Sequence, residues 1–304
     1  MKLSLIIPCH NNESTVLKTI KSIYSSNNIN KYKFEIIVVD DFSLDDSYNL
    51  IKRNFPTVKI HRLKKHSGAA KARNVGIKRS KGSLLLFIDA DAWFNKATIH
   101  NLIKQLDKNT DIVFPKINYE NGHLLYPVFE DEKNYPRISA CFLIKKKSLK
   151  KLDEYFDEFY QTYLEDYDFF MRCNLAGLNA KYIENACVIH ANKEQKDYSE
   201  RYYLEIRNLI YGRLKLGPRK PFTFTNLVKA FILGIFNFAW FNWYGYDRRN
   251  TFNKKVRLVL ERNNKISKNG FQNLVLFLRA INKVIIDYKV ISKKKKSFRK
   301  FYQA

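Results

Sequence analysis

Two aspartates one residue apart, Asp89 and Asp91, follow the apolar run Leu84-Leu85-Leu86-Phe87-Ile88. In an extended segment residues i and i+2 project to the same side. Two hard oxygen donors on one side suit Mg²⁺ or Mn²⁺ held jointly with phosphate oxygens, although the same pattern also reads as a solvated turn. Asp40 and Asp41 end a second apolar run, residues 36–39. A carboxylate there could accept from a base N–H or from ribose hydroxyls, or it could cap the helix beginning near Leu44. Between these lies His66-Ser67-Gly68-Ala69-Ala70-Lys71-Ala72-Arg73-Asn74-Val75-Gly76. Its small residues let a backbone approach closely, the helix start beside Gly68 offers N–H groups to an anion, and Arg73 adds a fixed cation. The plain alternative is an Ala-rich packing helix. Further on, Glu165, Asp166 and Asp168 crowd a helix start backed by Phe169 and Phe170. Such acids complement a helix dipole, or one of them takes the proton of an acceptor hydroxyl beside a metal-diphosphate site. His190 closes a short strand and reads either as a ligand or as a structural histidine.

The elements carrying these residues alternate in period. Strand-like runs at 3–7, 35–39, 58–61, 84–88 and 111–114 are separated by helical stretches at 13–25, 44–54, 69–80 and 96–106. Continuous apolar strands between helices predict an α/β fold with a mostly parallel sheet covered on both faces. Ligands of such sheets bind outside the carboxyl ends of the strands, where the acids above fall. Beyond residue 119 the pattern changes to a hairpin at Asn121-Gly122, a strand at 138–145, a helix at 165–176, a short strand at 186–190 and a helix at 198–216 stopped by Gly217-Pro218.

Composition narrows the class. With 304 residues and 45% hydrophobic content the chain can bury a core, which excludes a fully disordered protein. A net charge of +26 favours anionic partners. Cys9, Cys141, Cys173 and Cys187 have no metal-knuckle spacing, so reduced thiols in a cytoplasmic compartment are expected. The apolar start at 3–7 is too short for a signal peptide and reads as a first strand.

Taken in order, Ser4-Leu5-Ile6-Ile7-Pro8-Cys9-His10-Asn11, Ile36-Ile37-Val38-Val39-Asp40-Asp41-Phe42-Ser43, Gly68 through Gly76, Asp89-Ala90-Asp91 and Glu165-Asp166 resemble the family 2 glycosyltransferases of GT-A fold. The likeness covers about residues 2–190. It implies inverting transfer of a sugar from a nucleotide-diphosphate-sugar, with a divalent cation, Mn²⁺ or Mg²⁺, as cofactor. By position, Pro8 and His10 would line the nucleotide pocket, Asp41 or Asp40 would contact the base, and Arg73 would lie near base or diphosphate. Asp89 would reach the ribose, Asp91 would coordinate the metal, Asp166 would be the catalytic base, and His190 would complete the metal site. The chain departs from the family's glycine-containing acceptor loop at 138–142, and Leu152 to Tyr155 replace the usual glycine pair ahead of Phe156-Asp157-Glu158. Acceptor identity is therefore open. A polyprenyl-phosphate sugar synthase is the alternative, with Arg172 and Arg207 as the cations that its phosphate acceptor would need.

A boundary near residue 218 separates a catalytic domain, 1–218, from an aromatic and basic helical region, 219–304. From Asp247 onward, 17 Lys+Arg face three acids. The stretch 222–246 is dense in Phe, Trp and Tyr, but Asn237, Asn242 and the preceding Lys229 count against a span. Interfacial insertion with Trp240, Trp243, Tyr244 and Tyr246 at headgroup level is the leading expectation; a buried helix or oligomer interface, and a true or re-entrant span, are the others. Lys293–Lys296 with Arg299 and Lys300 suit an anionic membrane surface. The expected setting is peripheral, on the inner face of the cell membrane, with a glycan or lipid-linked glycan acceptor. Nucleic acid is not expected as a partner, because no nucleic-acid motif accompanies the charge.

Overall fold

The computed structural model describes residues 2–127, 130–191, 198–217, 228 and 270–302. The aromatic run 222–246 lies outside the described residues but for residue 228. The chain divides into two compact units, Met1–Lys193 and Glu194–Ala304.

In the first unit β1 (Lys2–Cys9), β2 (Lys33–Asp40), β3 (Lys59–Arg62) and β4 (Leu84–Ile88) form a parallel sheet in the order β3-β2-β1-β4. Both faces of β1, β2 and β4 are buried, as their unbroken apolar runs require. α1 (Val16–Tyr24), α2 (Ser47–Asn54) and α3 (Ala69–Arg79) are the crossovers. α3 lies directly on β1: a Cβ at Gly76 would stand 2.3 Å from the Ile6 side chain, so only glycine permits this approach.

The remainder of the sheet is more mixed than its sequence suggests. β8 (Cys141–Lys145) runs antiparallel to β4 and to β6 (Ile112–Tyr119), which forms the expected hairpin with β7 (Leu124–Tyr126). β9 (Ala180–His190) pairs parallel with β6 and antiparallel with β5 (Ala92–Phe94), and α4 (Thr98–Lys104) packs on β9. β9 has 11 residues, where the sequence pattern suggests only its last five. Its register shifts between Pro115 and Lys116 of the partner strand, and Glu184 and Asn185 stand exposed at that irregularity, interrupting the apolar pattern. Phe87 stacks on Phe142 with centroids 4.5 Å apart, and Phe156 on Phe169 at 4.2 Å, which seats α5 (Glu165–Leu175) against the sheet.

In the second unit α6 (Tyr198–Leu216) packs against α7 (Gly270–Ile286) and α8 (Tyr288–Tyr302). The composition shift lies near 218, whereas α6 falls in the second unit, in contact with both C-terminal helices. Among the described residues no helix is long and apolar enough to cross a membrane.

Candidate active site

Strands β1, β2 and β4 end at Cys9, Asp40 and Ile88, so His10, Asp41 and Asp89 emerge along one carboxyl edge. β4 delivers Asp89, whose N–H donates to Ala140 O at 3.0 Å. Asp91 sits just before β5, which pairs with the end of β9, and the Ala191 N–H donates to Asp91 O at 2.8 Å. That suture brings His190 to the aspartates. One carboxylate oxygen of Asp89, one of Asp91 and a ring nitrogen of His190 all lie within 4.8 Å of one another. His190 Nε2 is 3.4 Å from Asp91 Oδ1, while Nδ1 lies 3.0 Å from Ala191 O. An Nδ1–H donated to that carbonyl leaves Nε2 with its lone pair toward the carboxylates, the arrangement typical of metal-bound histidine. Two hard oxygens and an imidazole nitrogen, partly open to solvent, fit a Mg²⁺ or Mn²⁺ ion whose remaining positions go to phosphate and water.

Arg73 is the hub. It is 3% exposed on α3 and bridges two carboxylates, with Nη2 donating to Asp89 Oδ1 at 2.9 Å and Nη1 to Glu165 Oε1 at 2.8 Å. The guanidinium also lies 5.4 Å from the Phe156 ring centroid. The sequence expectation put Arg73 beside base or diphosphate; in the structure its guanidinium is held by these two acids. Burial, and then the neighbouring Asp166 charge, push the Glu165 carboxyl up to about 7 against the pull of Arg73. Glu165 Oε2 is buried without a hydrogen-bond partner.

Asp166, at the start of α5, accepts from Tyr167 N at 2.8 Å and from Ser139 N at 3.2 Å. Burial raises its carboxyl above the ordinary range, although Arg73 and these two N–H groups pull the other way. A raised carboxylate is the stronger base near neutrality. Asp166 belongs to the same charge network as the cation ligands, since Asp89 is among the charges that raise it and Asp91 and His190 act on Asp89. The loop before α5 holds Gln161, Tyr163 and Leu164 at φ of 63, 68 and 66°, a left-handed conformation that side chains rarely adopt.

The anion cradle expected beside Gly68 is filled by the protein itself. Asp41 accepts from Ser67 N and Gly68 N at 2.7 Å each, Ala69 N donates to Thr162 Oγ1, and Ala70 N donates to Gln161 O. A Cβ at Gly68, whose φ is +89°, would lie 2.5 Å from the Gln161 backbone. Gly68 therefore joins α3 to the 161–164 loop and presents no open N–H to a phosphate. Asp40 is wholly buried, with Oδ2 3.3 Å from Arg62 Nε, and Asp41 is buried too, its carboxylate turned to the Ser67 and Gly68 N–H groups. His10 Nδ1 lies 2.8 Å from Asp41 O, and the His10 and His66 rings lie against each other with centroids 4.0 Å apart and planes tilted by 30°, with Pro8 half-buried at the end of β1.

Sequence reasoning named His66 and Glu165 without giving them these contacts, and it missed Ser139. The signal available was the complementary charge of Arg73 and Glu165; the register that brings Ser139 to Asp166 has none. Arg172, one of the two cations that a phosphate acceptor would need, is fully buried. It donates to Asp168 Oδ2 at 2.7 Å and to the Glu154 and Tyr155 carbonyls.

The carboxyl-edge D-x-D, His190 and the helix-start acid Asp166 thus lie in one charge network at the carboxyl edge of an α/β sheet. The chain matches the model of glycosyl transferase family 2 over residues 4–138. It is 25% identical over 279 residues to the poly(ribitol-phosphate) beta-N-acetylglucosaminyltransferase TarS of Staphylococcus aureus strain Mu50, covering 85% of this chain and 47% of that one. TarP of S. aureus strain N315, with the same activity in its name, is 28% identical over 177 residues, covering 53% of this chain and 54% of its own. The chain thus spans about half the length of these relatives. The crystal structure of S. aureus TarS 1-349 in complex with UDP-GlcNAc superposes with a TM-score of 0.58 at 22% identity, covering 100% of this chain and 91% of that one. GalNAc-T7 with UDP, GalNAc and Mn²⁺ gives 0.59 at 17% identity, over 95% of this chain and 57% of that one. These likenesses establish the shared fold.

Proposed function

We propose that this protein is an inverting, metal-dependent glycosyltransferase that moves a sugar from a UDP-sugar to a hydroxyl of a glycan polymer. The observation carrying this reading is the cluster of Asp89, Asp91 and His190, tied through Arg73 to the helix start that bears Asp166. The relatives' names suggest a polyol-phosphate polymer as acceptor class, and a lipid-linked chain remains compatible with it. The setting we propose is the inner face of the cytoplasmic membrane, peripheral, in surface-polysaccharide assembly.

Asp91, Asp89 and His190 would hold the divalent cation, which would neutralise charge growing on the departing diphosphate. Asp41 and the paired His10 and His66 would border the nucleobase, with Pro8 on the strand behind. Asp166, kept in place by the Ser139 and Tyr167 N–H groups, takes the acceptor hydroxyl's proton as that oxygen attacks the anomeric carbon opposite the leaving group. Arg73 holds Asp89 and Glu165 and so fixes the distance between donor and base. Incubating the full chain with UDP-GlcNAc and UDP-glucose on a poly(ribitol-phosphate) acceptor, with and without Mn²⁺, tests the reading. Metal-dependent release of UDP coupled to polymer labelling is the expected result. No labelling from either donor, in the presence of metal, would refute it.

A further inference from the structure

The outward face of the C-terminal helix pair has a division of chemistry along its length. α7 turns Ala280 and Val284 inward and leaves Val275, Leu278, Ile285 and Ile286 exposed, the last two at 65% and 67%. α8 turns Ile291 and Phe298 inward and leaves Lys289, Lys293, Lys296 and Lys300 exposed. At 100° per residue each exposed set falls opposite its buried one, the α8 lysines at intervals of four, three and four residues, with the exposed Asn282 lying among the apolar side chains of α7. The two stripes are in phase. Asp287 N donates to Lys283 O and Ile291 N to Asp287 O, both at 3.0 Å, so helical bonding carries across the junction and the face continues. From residue 275 to residue 300 it runs roughly 37 Å at the α-helical rise. Asp287, the sole acid between 270 and 302, is neutralised by Lys283 at 2.9 Å. A shallow cleft of about 320 Å³ opens among Tyr288, Lys289, Ser292, Lys293 and Lys296.

We infer that this face docks on an anionic lipid bilayer, the apolar α7 half entering the interface and the α8 lysines resting on headgroup phosphates. The inference rests on the peripheral membrane setting proposed above and assigns it to a defined surface. Charge complementarity selects the occupant. An apolar stripe alone would suit a second protein helix, but a continuous face whose other half is four exposed lysines and no acid matches a surface that is apolar below and negative above. Lysines at the centre of the α8 stripe also mean that this half adsorbs without inserting.

Flotation of the full chain with phosphatidylglycerol vesicles, against phosphatidylcholine vesicles, reads the docking directly. One variant combines Lys289→Ser, Lys293→Ser, Lys296→Ser and Lys300→Ser; another combines Ile285→Ser and Ile286→Ser. All six positions are exposed, and UDP-sugar hydrolysis in solution should match wild type. Wild type is expected to float with the anionic vesicles only. The lysine variant is expected to lose roughly 10²-fold or more in partitioning, and the isoleucine variant about tenfold or more. If both variants float like wild type, this face is not the docking element, while the membrane setting stands. If wild type stays at the bottom of the gradient, or forms an oligomer that the isoleucine variant breaks into monomers without floating, the membrane setting fails too.

Discussion

Arg73 and Glu165, 92 residues apart in the chain, meet at 2.8 Å inside the protein, and the same guanidinium reaches Asp89 at 2.9 Å. One cation on α3 thereby connects the loop carrying Asp89 and Asp91 to the helix carrying Asp166. Removing it leaves the buried Glu165 carboxylate and the half-buried Asp89 carboxylate without this partner, a loss on the order of 3–5 kcal/mol. Arg73→Met should therefore melt well below wild type in a thermal scan. Arg73→Lys should recover part of the stability but little of the turnover, because one ammonium cannot reproduce the two-sided fork.

The cation site predicts a binding defect that does not depend on turnover. Asp91→Ala should abolish Mn²⁺ binding measured by calorimetry on the full chain, and with it metal-dependent UDP-sugar binding. His190→Gln should weaken Mn²⁺ roughly 10–100-fold. Unchanged Mn²⁺ affinity in both variants would remove these residues from the ligand set.

Asp166→Asn keeps the shape and one acceptor atom but cannot take a proton. Donor affinity should stay within about twofold, and turnover should fall roughly 10²–10⁴-fold. Turnover at the wild-type rate would exclude Asp166 as base.

Glu165 predicts a pH dependence of stability. Its carboxyl moves from an ordinary 4.5 to about 7 in the folded protein. The folded state therefore holds a proton that the unfolded state has lost, so stability contributed by this group declines as pH rises from about 4.5 to about 7. Glu165→Gln cannot lose that proton, and its melting temperature should fall less than wild type across the same window. Parallel curves would contradict the assignment.

Gly68→Ala tests the junction between α3 and the base loop. A left-handed φ and a Cβ 2.5 Å from the Gln161 backbone both oppose the change, at a cost of at least ~1–3 kcal/mol. The variant should melt lower and lose turnover together, since the 161–164 loop positions Asp166.

Much of the first unit was legible in the chain itself. β-branched runs of four to eight residues and helices that present one apolar face are local patterns, so β1 to β4 and α1 to α5 follow from burial of those faces. The acids at strand ends were legible for the same reason: they fall where a run of buried side chains stops. Tertiary structure alone decided who meets whom. Nothing local tells Asp41 to take the Ser67 and Gly68 N–H groups, or Arg73 to bridge Asp89 and Glu165, because both are choices between partners distant in sequence and fixed by the approach of α3 to the 161–164 loop. Likewise β9 gained its first half from pairing with β6, which outweighed the polar Glu184-Asn185 interruption. In the C-terminal helices the residue types announced charge, but only the direction of burial placed the isoleucines and lysines on one outward face.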